Sequence, residues 1–282
     1  MWFRSLPDFL KPRSRRPIRR APRQYQASRL RLEALEDRTV PSTLTVTSAA
    51  DDGSAGTLRA VIATASNGDT IRFEHHLAGQ TITFQSELAI TKSLDIDGLG
   101  ADKLTISGND TSRVFDISGS SAHVAIDDLT IADGRADNGG GILNAGGTLT
   151  LAHDVIADNQ ALGATGSGAK GGGVFNQGGT LTVEDSTFRD NLVWGGTGLV
   201  AGPNPAPGQG GGLAGYLGAT TTVSDSTFRD NQAIGGDGAA GVNGSNGAGG
   251  GLWSDNGSTQ RPVLCRSASA PLPSCALCAP GR

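Results

Sequence analysis

The residues best placed to do chemistry are carboxylates that recur at the same point of a repeated pattern. Asp133, Asp158, Asp190 and Asp230 each come two residues after an apolar Ile or Phe, and a second series, Asp128, Asp185 and Asp225, is interrupted by His153. Such carboxylates could hold Ca2+, or act as an acid/base pair on a glycosidic bond, which needs two of them facing one substrate. If the copies stack, like charges one layer apart repel, so each column must bind a cation or splay into water. Solvated positions at strand ends, where Asp caps turns and discourages edge pairing, account for both columns without a ligand. We therefore assign no catalytic residue and keep Asp133, Asp158, Asp190 and Asp230 as the candidate Ca2+ ligands. No other cofactor is implied. Arg189 and Arg229, each immediately before an Asp, would neutralise locally.

Other constellations carry less. His75-His76 is an adjacent pair with no third ligand nearby in sequence. Gly166-x-Gly168-x-x-Gly171 has the spacing of a dinucleotide-binding loop but lacks the preceding strand and the following helix. Arg4, Lys11, Arg13, Arg15, Arg16, Arg19, Arg20, Arg23, Arg29, Arg31 and Arg38 make a basic head on a chain of net charge −4, so the remainder is acidic. Beyond Tyr25 no aromatic is interleaved in the arginine run, which suits a solvated targeting segment better than a nucleic-acid arm.

The elements that must position the acids come next. Residues 1–42 read as a disordered leader: Pro7, Pro12, Pro17 and Pro22 recur every five residues and block helix and strand alike. Twin arginines (Arg15-Arg16, Arg19-Arg20) are not followed by an apolar h-region, and 29–42 has the residues for one short helix ended before Pro41. Leu44-Thr45-Val46-Thr47-Ser48 alternates as a strand. Leu58, Val61, Ile62 and Ala65 then share one helical face, predicting a capping helix over 57–66 stopped by Asn67-Gly68. Alternating runs follow at 70–73, 81–84, 88–91, 93–97, 103–107 and 114–117.

From residue 123 the repeat is explicit. Val124, Leu149, Leu181 and Thr221 fall in one column. Ile126, Leu151, Val183 and Val223 fall in a second, and Ile131, Ile156, Phe188 and Phe228 in a third. Steps along the third column are 25, 32 and 40 residues, so a base coil of 25 residues has grown by insertions at 162–170, 195–209 and 235–248. All three are rich in Gly, Ala, Ser or Pro and are expected as flexible loops from one edge. Glycine triplets with an apolar residue recur at 139–142, 171–174, 210–213 and 249–252.

Three short alternating strands per copy, glycine turns between them and no helix long enough for a crossover predict an all-β fold, a right-handed parallel β-helix over 43–258. The third column, with Leu151, Val183 and Val223, would form its narrow core, and Asn144 and Asn176 would stack as an amide ladder, broken at Gly215 and Ser254. Glycine supplies 43 of 282 residues and aromatics only 5%, which suits a thin turn-rich solenoid and not a thick globular core. Cys265, Cys275 and Cys278 all lie after the repeats, so the fold is no disulfide scaffold. No apolar stretch is long enough to span a bilayer as a helix. Residues 259–282 lose the pattern and read as an irregular tail, frame-shifted or truncated.

The units Gly139-Gly140-Gly141-Ile142-Leu143-Asn144 and Gly171-Gly172-Gly173-Val174-Phe175-Asn176, each followed by Gly-Thr-Leu-Thr and a strand ending in Asp-Asn, resemble the repeats of polymorphic outer-membrane proteins. Gly56-Thr57-Leu58-Arg59-Ala60-Val61-Ile62 and Gly68-Asp69-Thr70-Ile71-Arg72-Phe73 resemble the N-terminal cap of bacterial pectin-lyase-like β-helix proteins of that kind. The segment 32–42 is similar to a short motif of large bacterial surface proteins. The resemblance implies an exported or cell-surface (outer-membrane) β-helix used in adhesion or display, meeting surface glycans or cell-envelope components. It departs from the pattern in having neither a C-terminal translocator barrel nor a recognisable anchor. The competing expectations are a polysaccharide lyase or glycosidase acting on acidic polysaccharide, and a fragment of a larger surface protein.

Overall fold

Strands of alternating Val, Ile, Leu and Thr too short to bury a face alone must find partners, and here each pairs with its own equivalent one coil away. All the ladders are parallel. The computed structural model describes residues 40–197, 206–238 and 244–255, with the backbone of two further strands, Thr259–Pro262 and Cys265–Arg266. Over that span the chain is a right-handed parallel β-helix. The basic leader and the short helix expected before Pro41 fall outside the described residues up to position 39, as do Cys275 and Cys278.

Three sheets wall the coil. The first holds eight strands, from Thr43–Val46 to Thr259–Pro262; the second seven, from Gln80–Thr83 to Cys265–Arg266; the third six, from Leu88–Ile90 to Leu252–Ser254. Inside the second sheet Ile82, Ile106, Ile131, Ile156, Phe188 and Phe228 are successive register partners. Inside the first, Ile71, Ile96, Ile126, Leu151, Val183 and Val223 are. All are buried except Phe228, which packs on the core from the last coils. Each buried side chain contributes about 1.5–3 kcal/mol, and a one-residue slip would turn a whole column to solvent, so the register is fixed by the core.

The N-terminal end is closed by the helix Leu58–Thr64, whose Leu58, Val61 and Ile62 are buried. Thr57 caps it, accepting the Ala60 N–H. The helix stops at Ala65, ahead of the Asn67-Gly68 expected to end it; Asn67 instead accepts the Ser93 N–H at 2.9 Å. The open carbonyls are met by the Lys92 ammonium, 2.6 Å from Ala65 O and 3.2 Å from Ile62 O, a cation at the negative end of the helix.

One expectation needs correction, and one pairing extends the sheets. The insertions are not simply free loops. Their described parts contribute to a wing of two small adjoining sheets, one of strands lying mostly just ahead of the insertions and one of strands at the insertions' ends. One contains Arg135–Ala136, Gln160–Leu162, Leu192–Trp194 and Gln232–Ile234; the other contains Ala169–Lys170, Gly208–Gln209 and Gly247–Ala248. Ala161, Ala169 and Val193 are its small core. The glycines are there for close backbone approach: a Cβ on Gly195 would overlap the Ala206 carbonyl, and one on Gly196 the Ala164 carbonyl. Sheet pairing also runs past residue 258. Thr259–Pro262 pairs with Thr220–Ser224, and Cys265–Arg266 with Ser226–Arg229. Parallel edges accept backbone irrespective of side-chain pattern.

Candidate functional site

The two acid columns occupy two corners of the coil. Asp128, His153, Asp185 and Asp225, and equally Asp133, Asp158, Asp190 and Asp230, all have φ between 47° and 59°. Left-handed backbone is open to few residues with a Cβ, chiefly Asn, Asp and His, whose short polar side chains bond locally. That one requirement explains both the repeated Asp and the single His that replaces it.

At the second corner Asp133 accepts the Ser107 hydroxyl at 3.0 Å. Arg189 Nη1 lies 3.0 Å from carboxyl oxygens of both Asp158 and Asp190, tying two coils together, and Arg229 lies 3.8 Å from Asp230. The four candidate Ca2+ ligands are thus set on successive coils with arginines among them. Among the described residues no three metal-ligating side chains converge. His75 and His76 lie in a 3-10 turn, where His76 is bound to the Thr47 carbonyl and to Glu74. The Gly166-x-Gly168-x-x-Gly171 segment runs into the strand Ala169–Lys170, with no helix after it.

At the first corner the chemistry is richer. His153 Nδ1 is 2.9 Å from Asp127 on the preceding coil, and Nε2 is 3.9 Å from Asp185 on the next. The hydrogen bond to Asp127 raises the His153 pKa, with Asp127, Asp128 and Asp185 adding charge in the same direction against a smaller desolvation. Beside it, Asp154 is buried, and burial pushes its carboxyl well above the ordinary range despite the hydrogen bond from the Leu129 N–H.

Inside the coil the polar residues form ladders. Asn144 donates to Asn176 Oδ1 at 2.9 Å, and where Gly215 interrupts the column Asn176 donates to the Thr221 hydroxyl instead. A second ladder, Asn159 to Asn191 to Asn231 at 3.0 and 2.8 Å, was not foreseen. Its signal was the Asn that follows Asp158, Asp190 and Asp230. Each of these amides also donates to a backbone carbonyl, of Ile131, Ile156 and Phe188 in turn.

Outward on the third sheet lies an aromatic strip, also unforeseen because its members sit in different sequence frames. Phe175 and Tyr216 have ring centroids 6.3 Å apart, and Tyr216 and Trp253 6.5 Å. Lys170, on the wing, holds its ammonium 4.8 Å from the Tyr216 ring centre. Half-burial lowers the pKa of Lys170, opposed by the charge of Asp255. Wing and strip thus meet at the Lys170–Tyr216 contact, and the left-handed Gly171, Gly210 and Gly249 join the wing strands to the third sheet. Phe175 is buried, while Tyr216 and Trp253 are half-buried and leave part of their surface open beside the one cation.

No family model, no curated protein and no solved structure matches this chain.

Proposed function

We propose that this protein is a non-enzymatic β-helix of the cell surface or the extracellular space, an adhesion or display module that meets glycans or cell-envelope components. The observation that carries the reading is the half-buried pair Tyr216 and Trp253, packed beside the buried Phe175 with Lys170 over the Tyr216 ring, a partly exposed amphipathic strip. Aromatic rings offer large contact area at small entropic cost, and their edges and polar tips tolerate water, as a partly exposed recognition surface requires. The resemblance of the glycine-triplet repeats to polymorphic outer-membrane proteins supports the same setting. The acids, by contrast, are occupied in making corners, which speaks against the lyase or glycosidase reading. No helix of the described residues is long and apolar enough to cross a membrane.

The test is to measure retention of the full chain on immobilised uronic-acid polymers and neutral polysaccharides while following unsaturated products by absorbance. We expect retention without turnover, reduced at least tenfold in a Tyr216→Ala/Trp253→Ala double variant. Turnover that dies in Asp158→Ala or Asp190→Ala would overturn the reading in favour of an enzyme, and retention on none of the polymers would overturn its glycan part.

A further inference from the structure

The corner pairs of successive coils are Asp128-Leu129, His153-Asp154, Asp185-Ser186 and Asp225-Ser226. The first residue of each is left-handed and the second is buried. In the last two coils the serine does two jobs. Ser186 Oγ accepts the Asp154 N–H at 3.1 Å and donates to the Glu184 carbonyl at 2.8 Å. Ser226 Oγ accepts the Ser186 N–H at 3.1 Å and donates to the Ser224 carbonyl at 2.7 Å.

Asp154 stands in the same place and completes only the first job. Its Oδ1 accepts the Leu129 N–H at 2.9 Å, while Oδ2 is buried with no hydrogen-bond partner. What the position lacks is the hydrogen that a serine would carry. A protonated carboxyl supplies it, and the sister coils show its acceptor to be the carbonyl two residues back, here Ala152. On the outer side of the same corner, His153 replaces an Asp and is set between Asp127 and Asp185.

We propose that His153 and Asp154 form a proton-operated latch between the coils, closed when both carry a proton and loosened when they lose it. Two adjacent departures from the Asp-Ser repeat, one outward and one inward, both introduce titratable groups, and both favour the protonated form. The charged groups acting on His153 are Asp127, Asp128 and Asp185, and those acting on Asp154 are Asp127 and Asp128; all are acidic. None offsets a charge on Asp154, and each favours one on His153.

The sign follows from linkage. Both folded-state pKa values are raised, Asp154 from 3.8 and His153 from 6.5, so the stabilisation is present in full below those values and is lost as pH rises through the folded ones. The corner tightens in acid and loosens towards alkaline pH, opposite to the usual acid unfolding of carboxylate-rich proteins.

Two variants restore the sister sequence, Asp154→Ser and His153→Asp. Amide hydrogen exchange of the full chain, corrected for intrinsic rates, should show Leu129 losing at least about tenfold protection between acidic and alkaline pH, and Asp154→Ser should keep the protection and leave only the smaller dependence carried by His153. His153→Asp should lower protection at acidic pH, with a smaller dependence remaining. A carboxyl carbon signal of Asp154 that titrates at the ordinary value, or an Asp154→Ser protein with unchanged pH dependence, would overturn the latch. If Asp154→Ser fails to fold, the carboxyl titration of the wild type decides alone.

Discussion

Phe188 and Phe228 are 40 residues apart in sequence and lie ring on ring, centroids 4.6 Å apart with planes 11° from parallel. Nothing local brings them together. They meet because each occupies the same point of its coil, whatever length of chain the wing inserts between.

Phe188 is fully buried while Phe228 is not, so the two truncations should differ. Phe188→Ala is expected to cost about 3–5 kcal/mol in urea unfolding, and Phe228→Ala less than half of that. Equal losses would mean that the stack is not seated in the core.

At Asp158 the backbone requirement and the carboxylate can be separated. Asp158→Gly should leave stability within about 1 kcal/mol, because glycine accepts the left-handed corner, whereas Asp158→Val should cost about 1–2 kcal/mol or more. Millimolar Ca2+ should leave the wild-type Tm in place. A Ca2+-dependent rise in Tm abolished by Asp158→Gly would show the column to be a cation site.

The Asn191 side chain receives two bonds from Asn159 and gives two, to Asn231 and Ile156. Asn191→Leu keeps the volume and orphans those buried groups, and is expected to cost about 2–4 kcal/mol in urea unfolding. A near-neutral outcome would show that water or a shifted neighbour replaces the amide.

Asp69 gives the opposite pH sign to the latch. Hydrogen bonds from the Ser66 and Ser42 N–H groups hold its carboxyl below the ordinary range, so its contribution is present above the unfolded value near 3.8 and is lost as pH falls through the folded one. Exchange at the Ser42 and Ser66 amides should therefore accelerate in acid beyond the intrinsic rate, and Asp69→Asn should lose most of that pH dependence.

Much of the architecture was legible because it depends on side-chain type. Ile131, Ile156, Phe188 and Phe228 declare a column by being apolar at equal places, and Asn144 and Asn176 a ladder by being amides in a glycine frame. What stayed hidden depends on backbone. The left-handed φ of Asp133 or Asp158 leaves no mark beyond a preference for Asp, so the columns read equally as ligands or turn caps, and His153 among them was the clue that conformation governed. The wing was misread because Gly195 and Gly196, chosen for backbone contact, look like any flexible glycine. Asn159, Asn191 and Asn231 were taken for strand ends because their burial follows from the direction in which the corner sends the next residue.

In-register stacking is the claim on which the rest depends, and outward side chains can report it directly. Thr150, Thr182 and Thr222 are successive partners on the first sheet. Nitroxides placed at Thr150→Cys and Thr222→Cys, in a background with Cys265, Cys275 and Cys278 replaced by Ser, lie two coils apart, with backbones roughly 10 Å from one another. Strong dipolar broadening is expected, and weaker broadening at a Thr70→Cys/Thr222→Cys pair. An absence of broadening at the first pair would contradict the stacked β-helix itself.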